Sequence, residues 1–476
     1  MTYRRTIRIS LRARVLRGGA FLTLRQGLGV ALNFGGVLLL TRAIGPGNYG
    51  LYAAALGVFL YVQFLTQAGI PVYLVRREEE QQEAYHLGFT LLLLLSVGGM
   101  LLTILGLPLL ERWTRLEDFG PVALGLFLSL PVAQIAQVPL AKLERNLDFR
   151  RVAMYELCGL ATFYLIALPL AFGGFGAAAP VAGWWGQQTL LLALFCWGAN
   201  YRPKLHWKNT LARDALSYGF GFSASTWVWQ LGQLVNPLIV GRYAGADAVG
   251  YVALATRMVL GLSFVTQVMW RLSISALARV QHDRARLNRA VTEGMKLQVL
   301  GQGPFLVAFA WVAPWFLPAF FGNDWLPVAQ IYPFLALAAM ANAQFNLHSS
   351  ALYVLKKNLE VAIFHVVHII LFAGCAFLLI PRIGFMGYGW AEVAALSSYV
   401  VIHFYLKREL GSPAYLLSGV WYVAFALALF AHTLGWWAAL GLVGVALWPR
   451  TWKEVISYWH ELGGQIKLPW RVKGEQ

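Results

Sequence analysis

Residues 38–67 read LLLTRAIGPGNYGLYAAALGVFLYVQFLTQ, and residues 238–267 read LIVGRYAGADAVGYVALATRMVLGLSFVTQ. Laid over one another without a gap, they agree at ten of thirty positions: Leu38/Leu238, Arg42/Arg242, Gly45/Gly245, Gly50/Gly250, Ala53/Ala253, Ala55/Ala255, Leu60/Leu260, Phe64/Phe264, Thr66/Thr266 and Gln67/Gln267. A shorter echo sets Arg145, Asn146, Leu147 and Asp148 against Lys357, Asn358, Leu359 and Glu360. Agreement at glycines and arginines, not only at apolar positions, marks an internal repeat of the kind found in transporters.

Working outward, apolar blocks fall near 18–41, 49–75, 86–110, 120–140, 152–172, 177–200, 215–240, 248–271, 297–320, 325–355, 359–380, 386–406, 414–430 and 433–448. Each approaches the roughly 20 residues that a helix needs to cross about 30 Å of hydrocarbon. Composition agrees, with 59% hydrophobic and 12% charged residues, against about 25% charged in soluble domains. The fold class is an all-α polytopic membrane protein of about fourteen spans. Six spans separate the two copies, so both enter the membrane in the same direction and the repeat is parallel. The expected organisation is a basic N-terminal segment 1–17, a six-helix lobe 18–205, a second lobe 206–410 related to the first by a pseudo-twofold axis along the membrane normal, two further spans in 411–448, and a tail 449–476. In the tail Val455, Ile456, Trp459 and Leu462 follow helical spacing, predicting an amphipathic helix on the membrane surface. The start, MTYRRTIRISLRARVLRGG, resembles the first part of a signal peptide, but the apolar block after it is too long, and it is expected to remain uncleaved.

The net charge of +17, from 38 Lys and Arg against 21 Asp and Glu, would in a soluble protein suggest nucleic acid. Its distribution excludes that partner. Loops on the N-terminal side hold 30 of the basic residues, loops opposite hold 5, and 3 lie within spans. That asymmetry is the positive-inside pattern, and it places both termini in the cytoplasm and the protein in the cytoplasmic membrane, with anionic lipid as the neighbour of the basic loops. Cys158, Cys196 and Cys375 fall inside spans without paired spacing, so neither disulfide nor metal site is expected.

The turn GPGNYGLYA after the first span, the GIPVYLVRR ending the second and the LERNLDFRRVA entering the fifth resemble the polysaccharide transporter family. That family includes the O-antigen and exopolysaccharide flippases of the multidrug, oligosaccharidyl-lipid and polysaccharide (MOP) exporter superfamily. The resemblance implies a V-shaped twelve-helix core with two added C-terminal helices. It also implies transfer of a lipid-linked oligosaccharide across the cytoplasmic membrane. The expected partners are a polysaccharide polymerase and glycosyltransferases, and the expected state is a monomer.

Ionisable residues inside spans are costly and tend to mark function. Arg25 lies about 10 Å from the cytoplasmic end of the first span, and Arg257 lies near the middle of the eighth. Both are candidate ligands for a pyrophosphate, because a guanidinium matches phosphate oxygens with paired hydrogen bonds and keeps its charge when buried. Arg271, near the cytoplasmic end of the eighth span, reads as a phosphate ligand or as a snorkelling chain. Arg42 and Arg242, at the outer ends of spans one and seven, read as interfacial anchors or as a release site. Gln26 and Asn33 share a face of span one, and Gln230, Gln233 and Asn236 repeat every three residues along span seven, where Pro237 forms a candidate hinge. Amides suit sugar hydroxyls as well as interhelical bonds.

For ion coupling the candidates are Glu392, deep in span twelve, Glu360 at the start of span eleven, and His365 and His368 one turn apart beside it. No cofactor is expected; a proton gradient, a sodium gradient and the membrane potential are the candidate drives. Three functions follow in order of support. The first is a lipid-linked oligosaccharide flippase working by alternating access. Second comes a cation-coupled multidrug exporter, disfavoured by arginines in place of acids. Last is a membrane glycan polymerase, disfavoured by outer loops that are short and nearly uncharged.

Overall fold

The computed structural model describes residues 11–77, 82–264, 266, 273 and 276–465, and within helices omits the side chains of 11–28, 30–31, 220–226, 229 and 459–465. Among the described residues the chain is helical and without strands. Among the described residues every predicted span coincides with a helix or a string of helical pieces; the end of the eighth, from 267, lies outside them. Eight helical stretches, some of them strings of shorter pieces, are long and apolar enough to cross a membrane among the described residues. Fewer stand alone than were predicted because several spans are joined or broken. Helix Leu11–Gln67 carries both the first span and most of the second. Span four, though built of Phe119–Phe127, Leu130–Ile135 and Gln137–Arg145, still counts among the eight; span twelve is divided into Met386–Ala395 and Tyr399–Leu410, and the last into Ala431–Leu434 and Leu440–Leu447.

The joint inside Leu11–Gln67 is Gly45, at φ 74° and ψ 171°, and its repeat partner Gly245, at φ 85° and ψ −180°, bends Gly241–Leu262 in the same way. Side-chain-bearing residues essentially never adopt that conformation, so the two glycines turn each chain from one span into the next. Pro46 then opens the second span with its φ already set for a helix. A second conserved device of the repeat is backbone contact. A Cβ on Gly50 would stand 1.8 Å from the Ala246 carbonyl oxygen, and one on Gly250 would stand 2.5 Å from that of Pro46. The two helix starts touch where neither tolerates a side chain.

Arg42 and Arg242 repeat a third arrangement. Arg42 Nη1 donates to the Phe320 carbonyl, the last residue of helix Arg284–Phe320, at 3.2 Å. Arg242 Nη1 donates to the Trp113 carbonyl, at the end of helix Gln82–Thr114, at 2.8 Å, with the guanidinium 4.3 Å from the Trp113 ring centre. Each cation caps the carbonyl end of a helix.

By contact, the chain divides into two compact units. One runs to Gly261 and adds Trp315–Ile331 and Ala362–Ser398; the other comprises Leu262–Pro314, Tyr332–Val361 and the chain from Tyr399 onward. In the first unit Phe59, Phe119, Phe127 and Trp325 are fully enclosed, while Leu102 and Leu105 are 74% and 79% exposed. An apolar outer surface of that extent belongs against lipid. In the second unit helix Pro449–Gln465 follows the predicted tail. It is tied to the protein as well as amphipathic: Glu454 meets Lys296 at 2.9 Å, and the Trp421 indole donates to Thr451 Oγ1 at 3.0 Å. Trp459 and Leu462 have side chains outside the described residues.

Candidate functional site

Arg257 stands on helix Gly241–Leu262 and reaches helix Leu11–Gln67 at two places, one on either side of the Gly45 bend. Its Nη2 donates to Asn33 Oδ1 at 3.2 Å, and its Nη1 donates to the Tyr49 hydroxyl at 3.3 Å. Asn33 Oδ1 also accepts from the Tyr164 hydroxyl at 3.0 Å, so both of its lone pairs are engaged. Tyr164 comes from helix Phe149–Phe172, and its ring occupies the place where a Cβ on Gly36, one turn after Asn33, would collide with it at 2.3 Å. Tyr49 lies in the first turn after the Gly45 bend, edge-on to Trp325 with ring centres 5.7 Å apart, and Tyr52 follows one turn later. All three tyrosines are buried, whereas Arg257 is exposed.

The electrostatics follow from the partners. Among the described residues no carboxylate lies within ion-pair distance of Arg257. Its charge is therefore oriented by neutral oxygens and not cancelled. A guanidinium has five N–H donors, and the hydrogen bonds to Asn33 and Tyr49 use only part of that set. What remains is a fixed cation with spare donors on the accessible side of a phenol and amide cluster, which suits a phosphate or other oxyanion.

Among the other predicted residues, Arg25 and Gln26 lie on helix Leu11–Gln67 with side chains outside the described residues, and Arg271 lies outside them altogether. Gln230 is half-buried and Gln233 exposed. Asn236 donates to the Val249 carbonyl at 3.3 Å. Their segment leaves α geometry, because helix Asn209–Leu231 passes into a 3-10 turn at Gly232–Leu234 and a π turn at Asn236–Val240. Pro237 is the second residue of that π turn and packs 3.2 Å from the Cβ position of Gly57. Glu392 lies half-buried on Met386–Ala395. Glu360 sits 3.8 Å from Lys357, which also holds Glu409 at 2.8 Å. His365 packs on the Phe364 ring, and His368 Nδ1 is 2.9 Å from Ser398 Oγ.

Sequence reasoning did not single out Tyr49, Tyr52 and Tyr164. The available signals were the Tyr-x-x-Tyr spacing within NYGLY and a glycine one turn after an asparagine. It also passed over a chain in the second unit, where the Tyr415 hydroxyl lies 2.6 Å from His348 Nε2 and 2.7 Å from His403 Nδ1.

A family described as polysaccharide biosynthesis protein matches residues 39–330, more than half of the chain, including Tyr49, Tyr52, Tyr164 and Arg257. The chain belongs to this family. Among related proteins, the lipopolysaccharide biosynthesis protein WzxC of Escherichia coli (strain K12) is 22% identical over 71% of this chain and 69% of its own length. The succinoglycan biosynthesis transport protein ExoT of Rhizobium meliloti (strain 1021) is 23% identical over 65% of this chain and 62% of its own. In fold, this member of the polysaccharide biosynthesis family is similar to the lipid II flippase MurJ in an inward closed conformation, with a TM-score of 0.71, 14% identity, and coverage of 93% of this chain and 99% of that one. An inward-facing multidrug resistance MATE family transporter of the MOP superfamily follows at TM-score 0.66 and 14% identity, over 82% of this chain and 98% of that one. The fold is thus of the MOP type.

Proposed function

We propose that this protein moves a polyprenyl-pyrophosphate-linked oligosaccharide across the cytoplasmic membrane by alternating access, for the synthesis of a cell-surface polysaccharide. The observation that carries the reading is Arg257, a cation held by Asn33 and Tyr49 without a carboxylate partner among the described residues. A pyrophosphate needs such a charge at the depth where its headgroup crosses. Membership of a polysaccharide biosynthesis family supports the glycan, and a fold shared with a lipid II flippase supports a lipid carrier. The 30 to 5 asymmetry of basic residues supports termini in the cytoplasm. In this reading Arg25, on the same helix as Asn33, adds a second phosphate contact nearer the cytoplasm, and the amides of Gln26, Gln230 and Gln233 meet sugar hydroxyls. Polymerase and glycosyltransferases act on the product and precursor.

The test is flipping of labelled lipid-linked oligosaccharide in reconstituted vesicles. Arg257→Ala removes a charge-assisted contact worth roughly 1.5–3 kcal/mol, so the rate should fall at least about tenfold, with Arg257→Lys recovering only part of it for want of the planar fork. An unchanged rate in the alanine variant removes Arg257 from the path. Coupling to protons or sodium through Glu392 is the accompanying proposal, checked by imposing a pH, sodium or potential difference on the same vesicles before and after Glu392→Gln.

A further inference from the structure

The segment Tyr201–Lys208 joins helix Ala178–Gly198 to helix Asn209–Leu231 without helical turns of its own. Tyr201 is buried, its hydroxyl donating to the Tyr85 carbonyl at 3.1 Å, and from Arg202 onward the contacts alternate. Arg202 and Lys204 line a cavity of about 200 Å³ together with Gln82, His86, Lys142 and Tyr201. The backbone N–H of His206 donates to Thr90 Oγ1 at 3.0 Å, and Lys208 Nζ lies 3.4 Å from Glu83. The even-numbered residues thus face the beginning of helix Gln82–Thr114. Between them, Leu205 and Trp207 are 73% and 53% exposed.

Lys142, Arg202 and Lys204 have no carboxylate within ion-pair distance among the described residues. His86 Nδ1 is buried without a hydrogen-bond partner. Three like charges around one cavity repel one another, and an anion in their midst relieves the repulsion while giving the cavity's donors an acceptor. The exposed leucine and tryptophan choose the source of that anion. A tryptophan beside a spanning helix favours the membrane–water interface, which brings the cavity to the depth of lipid phosphates, where each nearby cation adds to affinity.

We propose that this cavity binds the phosphate of an anionic glycerophospholipid, with Lys142, Arg202 and Lys204 as its cationic contacts and Leu205 and Trp207 inserted beside the bound lipid. The site is separate from Arg257 and does not depend on the transport reading.

Native mass spectrometry of the full chain in detergent, titrated in turn with phosphatidylglycerol, phosphatidylcholine and inorganic phosphate, tests it. Phosphatidylglycerol is expected to bind at least about tenfold more tightly than phosphatidylcholine, and the triple variant Lys142→Gln, Arg202→Gln, Lys204→Gln should lose the preference. Lys204→Gln alone lies in the irregular segment, leaves helix packing intact, and should weaken phosphatidylglycerol about fivefold. Equal binding of the two lipids, a preference that survives both variants, or displacement of the lipid by millimolar inorganic phosphate would each overturn the proposal. The acidic run Glu78–Glu80 precedes Gln82 and lies outside the described residues. A lipid preference that emerges only in Glu78→Gln, Glu79→Gln, Glu80→Gln would show that the chain's own acids fill the site, and the proposal would fall.

Discussion

The two copies of the repeat share their scaffold and differ in their chemistry. Gly45 and Gly245 bend alike, Gly50 and Gly250 touch, and Arg42 and Arg242 cap equivalent helix ends. At the site the correspondence fails. Tyr49 and Tyr52 of the first copy are Val249 and Val252 in the second, Asn33 becomes Gln233, and the partner of Arg257 is Gly57. In the register of the shorter echo, Tyr164 corresponds to Ala376. Hydroxyls and an amide come from one copy and the cation from the other, so neither copy contains the cluster alone. Duplication preserves what holds backbones together, and divergence after duplication makes a polar site that symmetry would forbid.

The comparison is broken most severely at the shared scaffold. Gly50→Ala places a carbon inside contact distance of the Ala246 carbonyl oxygen, and Gly250→Ala does the same against Pro46. Overpacking of this kind costs roughly 1–3 kcal/mol, so both variants should show a clearly lowered melting temperature in detergent by size-exclusion fluorescence. If either melts like the parent, the two helix starts are not in backbone contact. Gly57→Ala, whose new carbon meets only a Pro237 ring atom at 3.2 Å, should lose far less.

The asymmetric residues are next in size. Asn33→Ala deletes the acceptor shared by Arg257 and Tyr164, and Tyr164→Phe deletes one bond to it. At about 1 kcal/mol per hydrogen bond, transport by Asn33→Ala should fall by about fivefold or more, with a smaller loss for Tyr164→Phe. Gln233→Ala, at the repeat partner of Asn33, deletes a single amide contact to the sugar and leaves Arg257 and Tyr164 with their acceptor, so its loss should be clearly smaller than that of Asn33→Ala. Equal losses at Asn33 and Gln233 would mean that the site is symmetric after all.

Smaller again is the difference between the two caps. Arg242 both donates to a helix-end carbonyl and lies over the Trp113 ring, whereas Arg42 is exposed and donates to a carbonyl. Arg242→Ala should cost about 1–2 kcal/mol, and Arg42→Ala less than about 1 kcal/mol, measured by thermal unfolding. The reverse order would discard the stacking contribution.

The smallest effect lies between Lys357 and Glu409, beyond the ends of the predicted spans. The hydrogen bond and charge of Lys357 hold the Glu409 carboxyl below its ordinary value of 4.5, and the same contact raises Lys357. A lowered carboxylate stabilises the fold above its unfolded pKa and loses that contribution as pH falls through the folded one. Glu409→Gln should therefore lower the melting temperature slightly at neutral pH, and the difference should vanish below the ordinary carboxylate range of about 4. A gap that persists in acid would place the effect elsewhere than in the ion pair.

Much of this was legible in the chain itself. Span positions follow from runs of apolar residues, because hydrocarbon admits only helices with satisfied backbones. The repeat shows at glycines and arginines whose roles are local: a bend, a close approach, a cap. Arg257 and Asn33 stood out separately because charge and amide are rare and costly within spans. Tyr49 and Tyr164 did not, since an aromatic residue in a membrane helix is ordinary until its hydroxyl is seen to have a partner.

The sequence by itself determined the membrane class, the parallel duplication and the existence of a cation within a span. Helical periodicity assigns residues to faces but does not say which faces meet. Only the tertiary structure decided that residues 33, 49, 164 and 257 converge, and that Lys142 and Arg202 share a cavity. The physical reason is that hydrogen bonds between helices depend on approaches of a few ångströms, set by where glycines such as Gly36 and Gly50 let other atoms in.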